Sequence, residues 1–479
     1  MEGVRVTMDI NIKNIIGDMN KVLKAIDIRF IELLKFVNIN GDRIRSRAIA
    51  LGADAYVLRN LAIMVILDNK IYIIPTSGNR LVISGASNEG IFKSVPEINA
   101  LDLSDIPIVD KTNLAGYFHL SHIRNIIMPT KVGEMTDLSY CFKGCGYLDT
   151  INISLNINDN ISMNAMFREC VSLREVKLIN RNFDRHLGIS FISSFENCYN
   201  LERVIFEGFN DVDILEVRDM FSGCHKLKSV NMHNFKTTNI ENMANMFNAC
   251  FELEELDISN FTFDKVLILS SMFRDCQKLE DIGIDILARK CVYYSNIFDG
   301  CTRLKRDRLK LDHNLSTATS HIFKLEKIYY GCRSLEEIDL GNVYKCTELS
   351  LRAALGSCCN LKRLHIGNWD NRLYDLSEFF VMVDSLKEIT FESIDRELFK
   401  QLILQRTRGD YVLMHRKFNK NNTDKICRFI HIHINTFGDD AVIGLYVDGK
   451  KDRMDLDELY NAVSKGEIAI RFTSDTYIR

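Results

Sequence analysis

The sequence has little proline. Only Pro75, Pro96, Pro107 and Pro129 occur in 479 residues, so nothing after position 129 interrupts a regular hydrogen-bonded backbone. There is no excess of charge of either sign: 61 Lys plus Arg against 64 Asp plus Glu give a formal charge of −3. That balance speaks against a nucleic-acid partner, which normally meets a markedly basic domain. No apolar run reaches the roughly 18 residues of a membrane-spanning helix, so no membrane insertion is expected. The N-terminus, MEGVRVTMDINIKN, lacks the charged-then-apolar pattern of a Sec signal. A cytoplasmic or virion-associated location is therefore expected ahead of Sec export to a cell surface. Phosphate-cradling GxGxxG and GxxxxGK[ST], zinc-binding HExxH and the GxSxG nucleophile turn are missing too. The expectation is a protein without catalytic residues or cofactor.

What is present is a repeat. Phe221, Phe247 and Phe273 lie 26 residues apart, and each opens a frame F-x-x-C-x-x-L: Phe221-Cys224-Leu227, Phe247-Cys250-Leu253, Phe273-Cys276-Leu279. Upstream come Phe142-Cys145-Leu148, Phe167-Cys170-Leu173 and Phe195-Cys198-Leu201. Downstream come Phe298-Cys301-Leu304, Tyr329-Cys332-Leu335 and Leu355-Cys358-Leu361. Degenerate copies at Phe92-Val95-Ile98, Tyr117-Leu120-Ile123 and Phe380-Val383-Leu386 bring the total to twelve. After each leucine, segments such as LEELDI (253–258) and LKRLHI (361–366) alternate apolar residues like a half-buried strand. Before each Phe, segments such as IENMANMFNAC (240–250) space Ile240, Met243, Met246, Phe247 and Cys250 like one face of a short helix. A unit of this size cannot bury its own apolar face, so neighbours must stack into a solenoid.

This frame resembles the BspA-like leucine-rich repeats, whose units read M-F-x-x-C-x-x-L-x-x-L-D-L-S-N-F; LEELDISNF (253–261) and MFSGC (220–224) are close matches. The resemblance implies an α/β solenoid of about twelve 25–26-residue leucine-rich-repeat units with parallel strands. Family members include surface proteins that bind host proteins or neighbouring cells, so a recognition role is implied. The chain departs from the pattern at LKRDRLKLDHN (304–314), which carries two extra residues.

Nine of the fourteen cysteines occupy one repeat position, and Val95, Leu120 and Val383 replace them in degenerate copies. A metal ligand would not be exchanged for valine; a small core residue would. Reduced, buried, inert thiols are expected, and no metal site. Cys141/Cys145 and Cys358/Cys359 lack a second CxxC or a His pair for zinc. His431 and His433 alternate with isoleucines and read as the polar face of a strand. Residues 448–458 lack EF-hand spacing. Asp448-Gly449 reads as a hairpin turn, and Asp455 with Glu458 as a capping box.

The ends differ from the middle. Ile12, Ile16, Met19, Leu23, Ile26, Phe30, Leu33 and Val37 recur at alternating four- and three-residue steps, a heptad seam over residues 1–48. Such a helix either self-associates, with a trimer favoured by its isoleucines, or packs on its own domain. Residues 49–90 read as cap strands, 91–392 as the solenoid and 393–408 as a capping helix. Residues 409–479 read as a small α+β module of three strands, a helix and a strand.

The exposed strand positions are the candidate partner face: Glu175, Lys177, Arg203, Ser229, Asn231, Glu255, Asp257, Asp281, Glu337, Asp339, Arg363 and His365. Two functions fit. One is a non-enzymatic recognition module for a protein or glycan. The other is a structural subunit, for example of a phage particle or fibre, anchored or oligomerised by the N-terminal helix.

Overall fold

The computed structural model describes residues 8–394 apart from 27, 29–30, 39–40, 77–78, 85–89, 158, 182–187, 211, 315–321, 345–347, 371–373, 384 and 387. Beyond these it describes strands Val412–His415, Ile430–Ile434, Ile443–Val447, Lys450–Met454 and Ala469–Phe472, with residues 460–461. The chain forms two compact units, residues 1–240 with 245–262, and residues 241–244 with 263–479. About ten turns of parallel β-solenoid are distributed between them.

In the first unit, the L-x-x-Φ-x-Φ segments pair in parallel register. Ile123–Ile127, Thr150–Leu155, Glu175–Asn180, Arg203–Glu207, Ser229–Asn231 and Glu255–Asp257 are successive neighbours in one sheet. A second, shorter parallel sheet runs through Ile161–Ser162, Gly188–Ser190, Val212–Glu216 and Phe235–Lys236. The second unit repeats the scheme, with Glu337–Asp339, Arg363–Asp370 and Glu388–Ile394 in parallel.

The segments before each cysteine are not the short helices that their apolar spacing suggests. They are turns, with two left-handed backbone positions four residues apart in each repeat: Asp219 and Gly223, Ser193 and Asn197, Ala165 and Glu169. No α-helix accommodates such a residue every turn. The hydrogen bonds explain the choice. Met220, Ser222 and Cys224 donate within the repeat, three residues back, whereas Phe221 and Gly223 donate to Met246 O (2.9 Å) and Asn248 O (2.8 Å) of the next repeat. The burial expectation does hold: Ile240, Met243, Met246, Phe247 and Cys250 are fully buried.

Stacking continues in the side chains. Phe92, Phe118, Phe142, Phe167, Phe195, Phe221 and Phe247 form one file with ring centroids 4.9 to 5.6 Å apart and planes within 13°. Beside it, each cysteine thiol donates to the carbonyl of the preceding repeat's phenylalanine. Cys145 reaches Phe118 O (3.0 Å), Cys170 Phe142 O (3.0 Å), Cys198 Phe167 O (3.0 Å), Cys224 Phe195 O (3.1 Å) and Cys250 Phe221 O (3.3 Å). In the second unit Cys301, Cys332 and Cys358 do the same to Phe273, Phe298 and Tyr329. The cysteine is thus a small apolar group that also satisfies a buried acceptor. This corrects the degenerate copy at Tyr117-Leu120. Phe118 occupies the aromatic file, and Ser121, three residues on, holds the cysteine position with its hydroxyl 3.4 Å from Cys145 Sγ.

The continuous helix expected over the heptad seam is not formed. Helix α1 spans Lys13–Ala25, the backbone is extended at Ile26, and Leu33–Phe36 is a strand paired with Lys70–Pro75 and Ile98–Asp102. Ile12, Ile16, Met19, Leu23 and Val37 are buried, Ile26 and Leu33 are half-buried, and Phe30 lies outside the described residues. The seam's helical part packs inside its own unit, against Ala55–Leu58 and Met8–Asn11. A second helix, α2 (Gly41–Ala50), packs on Ala62–Leu67, with Ala48, Val65, Leu67 and Ile74 as its core.

At the other end, Glu388–Ile394 pairs antiparallel with Ala469–Phe472, which leads through Val412–His415 and Ile430–Ile434 to the hairpin of Ile443–Val447 and Lys450–Met454. That is one strand more than the module was expected to hold. Val447 pairs with Lys450, as the Asp448-Gly449 turn signal requires. The expected capping helix, 393–408, does not begin where it was placed, since Ser393 and Ile394 close the strand Glu388–Ile394, and the rest of it lies outside the described residues.

Two predictions follow from this packing. Eleven of the fourteen cysteines are buried, and desolvation holds thiols such as Cys224, Cys291 and Cys358 above the ordinary range, to about 12 for Cys358. No more than three thiols should therefore react with a thiol reagent before denaturation, and Cys224→Ala should cost about 1–3 kcal/mol in urea unfolding. Leu23→Ala should cost about 2–4 kcal/mol with no change of mass in solution, since its contacts are intramolecular. A lost oligomer without lost stability would restore the seam.

Candidate functional site

Parallel, in-register stacking puts equivalent residues of successive repeats side by side, and here their charges alternate. Reading up the position after each core leucine gives Arg124, Asp149, Arg174, Glu202, Lys228 and Glu254 in the first unit. The second has Glu280, Lys305, Glu336 and Lys362. Arg174 forks onto Asp149, and Lys228 reaches Glu202 at 3.1 Å. Lys305 meets Glu280 at 2.6 Å and Lys362 meets Glu336 at 2.7 Å. The cations hold the carboxyls of Asp149 and Glu336 below their ordinary values.

The expected partner face shares this arrangement. In the first unit Glu175 pairs with Arg203, and Lys177 with Glu207. Asn231 and Asp257 each accept a backbone N–H two residues on, from His233 (3.3 Å) and Ser259 (3.2 Å). They cap the turn that ends the strand. Ser229 is half-buried, and Glu255 is exposed.

In the second unit Asp281 takes a two-pronged contact from Arg308 (2.8 Å twice), which holds its carboxyl below the usual range. Glu337 pairs with Arg363, Asp339 caps Gly341 (2.8 Å), and His365 Nδ1 lies 2.9 Å from Thr390 Oγ1. Most of the candidate residues are therefore committed to neighbours in the stack.

The second unit also holds a feature the face residues alone did not reveal. Residues 304–311, which carry the two extra residues, form no strand, and among the described residues Glu337–Asp339 pairs on one side only, with Arg363–Asp370. Between them lies a notch of about 1120 Å³. Lys305, Arg306, Asp307, Arg308 and Lys310 line one wall; Glu337, Asp339, Arg363 and His365 line the other.

Asp307 bridges the two walls. Its carboxylate accepts the Tyr329 hydroxyl, the Leu309 N–H (3.0 Å) and the Asp339 N–H (2.7 Å). It stands where a neighbouring strand's carbonyl would be. Burial outweighs these three donors and pushes the Asp307 carboxyl up to about 6. The readable signal was the insertion itself, which breaks the 26-residue register. Among the described residues, no cluster of His, Cys, Asp and Glu is placed to hold a metal ion, and no helix is long and apolar enough to cross a membrane.

Architecture and repeat together define a leucine-rich-repeat solenoid. Residues 90–187 match the BspA type leucine rich repeat region, in six copies, and residues 189–311 match a family described as Mycoplasma protein of unknown function, DUF285. Residues 90–187 are thus repeats of the BspA-like leucine-rich type. No curated protein matches the chain at a significant level.

Two measurements probe the site. Arg174→Asp should lower the melting temperature, and the swapped pair Asp149→Arg with Arg174→Asp should recover only part of the loss, because it restores the 149–174 contact but sets position 149 against Arg124 and position 174 against Glu202 with like charge. Asp307 binds its proton more tightly folded (about 6) than at its ordinary 3.8. Its contribution to stability is complete below about pH 4 and disappears as pH rises through about 6. Urea titrations across this window should show a flatter fall of stability in Asp307→Asn; an identical slope would show that Asp307 does not titrate there.

Proposed function

We propose that this chain is a non-enzymatic recognition protein that binds a protein or glycan partner through its exposed strand face, with the notch beside Glu337–Asp339 as its centre. The observation that carries this reading is the notch. Hollows over the regular part of the face in the first unit hold only about 380 and 270 Å³. The notch brings Lys305, Arg306, Arg308, Lys310 and Arg363 together with Asp285, Asp307, Glu336, Glu337 and Asp339. Five charges of each sign suit a surface of mixed charge better than a polyanion. Among the described residues no Phe, Tyr or Trp lines it, which favours a protein over a glycan as the partner.

The alternative of a virion subunit relies in part on the N-terminal heptads to anchor or trimerise the chain. The apolar face of α1 is buried within its own unit, which removes that part of its support.

A partner recovered with the wild-type chain should bind Arg306→Glu/Asp339→Lys at least about tenfold more weakly, a loss of about 1.4 kcal/mol. Equal binding by the double variant, or capture by neutral oligosaccharides with the notch altered, would move recognition elsewhere.

A further inference from the structure

The turn segments of the first unit carry a surface stripe that their packing does not require. After each core cysteine, or Ser121 in its place, the chain reaches the surface, and successive repeats put His122, Tyr147, Val171, Tyr199, His225 and Phe251 there. Tyr147, Val171 and Tyr199 are 42%, 37% and 41% exposed. Contacts run from repeat to repeat. His122 meets Tyr147 with ring centroids 5.8 Å apart, Tyr199 meets His225 at 4.9 Å, and His225 meets Phe251 at 4.7 Å. In the second unit the residue after the cysteine is Gln277, Thr302, Arg333 or Cys359, so stacking itself needs no apolar group at this position.

Beside the stripe runs the ladder of alternating charge. Tyr147 borders the same hollow as Arg124, Asp149 and Arg174, which places both features on one surface. The rings of Tyr199, His225 and Phe251 stack with planes within 24° and cover one another's faces, which leaves little for a sugar ring to lie on. The charged ladder alongside is equally unsuited to a lipid interior.

We infer that the stripe is a self-association surface, on which a second copy of this chain lies reversed about a two-fold axis crossing the stripe between Val171 and Tyr199. Reversal sets Val171 on Tyr199 of the second copy, Tyr147 on its His225 and His122 on its Phe251. The ladder supplies the charge complementarity that selects this occupant. Its six rungs alternate strictly, so the reversed series carries the opposite sign at every rung: Arg124 meets Glu254, Asp149 meets Lys228 and Arg174 meets Glu202. The ion pairs within the chain leave room for these contacts. The side chains of Arg174 and Lys228 remain 58% and 60% exposed, and those of Asp149 and Glu202 30% and 44%. A second copy thus covers the apolar stripe and brings a counter-charge to every rung, as a self-complementary two-fold interface must.

In sedimentation of the full chain, mass should rise with concentration toward twice 55.2 kDa. Val171→Lys, a change to an exposed side chain beside the axis, should remain a monomer. The rungs give a second test. Glu202→Arg sets like charges against Arg174 of the other copy, twice in the dimer, and should weaken association at least about tenfold. Adding Arg174→Glu restores opposite signs across the axis and should recover association. Within the chain the same addition sets position 174 against Asp149 with like charge, so a merely structural role for these residues gives the reverse order. A chain that stays monomeric at every concentration would overturn the proposal and leave the stripe to a different protein. A dimer indifferent to Val171→Lys, or a double variant that associates no better than Glu202→Arg, would overturn it as well. None of these readouts involves the notch or its partner.

Discussion

The structure depends on one constraint: half the polar backbone groups in each turn segment have no partner inside their own repeat. Phe221 and Gly223 donate to the next coil, and the carbonyl of Phe195 accepts from the thiol of Cys224. A single coil would bury those groups unsatisfied, at a cost that its own apolar contacts could not offset. Each repeat therefore folds only against a neighbour, and the phenylalanine and cysteine files are consequences of that requirement. The file needs small residues at the cysteine position, and serine at 121 shows that a second donor chemistry is tolerated.

The same stacking decides what the surface can do. Parallel register places like positions about 4.8 Å apart, so a column of one charge would repel itself along its length. Alternation of sign removes the repulsion and uses the charges to hold register. It also leaves the regular part of the face nearly neutral and already paired. The recognition role proposed above needs a break in the pattern, and the insertion at 304–314 lies at one. There a carboxylate, Asp307, accepts the Asp339 N–H in place of a strand carbonyl, and charged groups, most of them ion-paired, line a hollow.

Much of this was legible in the sequence, though not all for the reason it seemed. The 26-residue spacing of phenylalanine, cysteine and leucine identified the core correctly, and every residue of the Ile240–Cys250 set is buried. Its helix-like spacing was misleading because a turn segment with a left-handed residue every four positions returns its side chains inward at a similar interval. The heptads failed for another reason. Spacing records which residues are apolar, not whether one element carries them, and here α1 ends at Ala25 before a strand takes up Leu33. Asp257 and Asp339 read as outward acids and are outward, but an Asp beside a turn also caps it.

What the sequence determined by itself was the repeat, the solenoid it compels, the buried thiols and the strand register, because each is a local pattern repeated often enough to exclude other readings. The tertiary structure alone decided the pairing of the surface charges and the notch beside Glu337–Asp339. Those features depend on which residues become neighbours across repeats or at an end of the stack. A one-dimensional pattern does not encode that, since a rung and its neighbour are about 26 residues apart in the chain and one strand spacing apart in space.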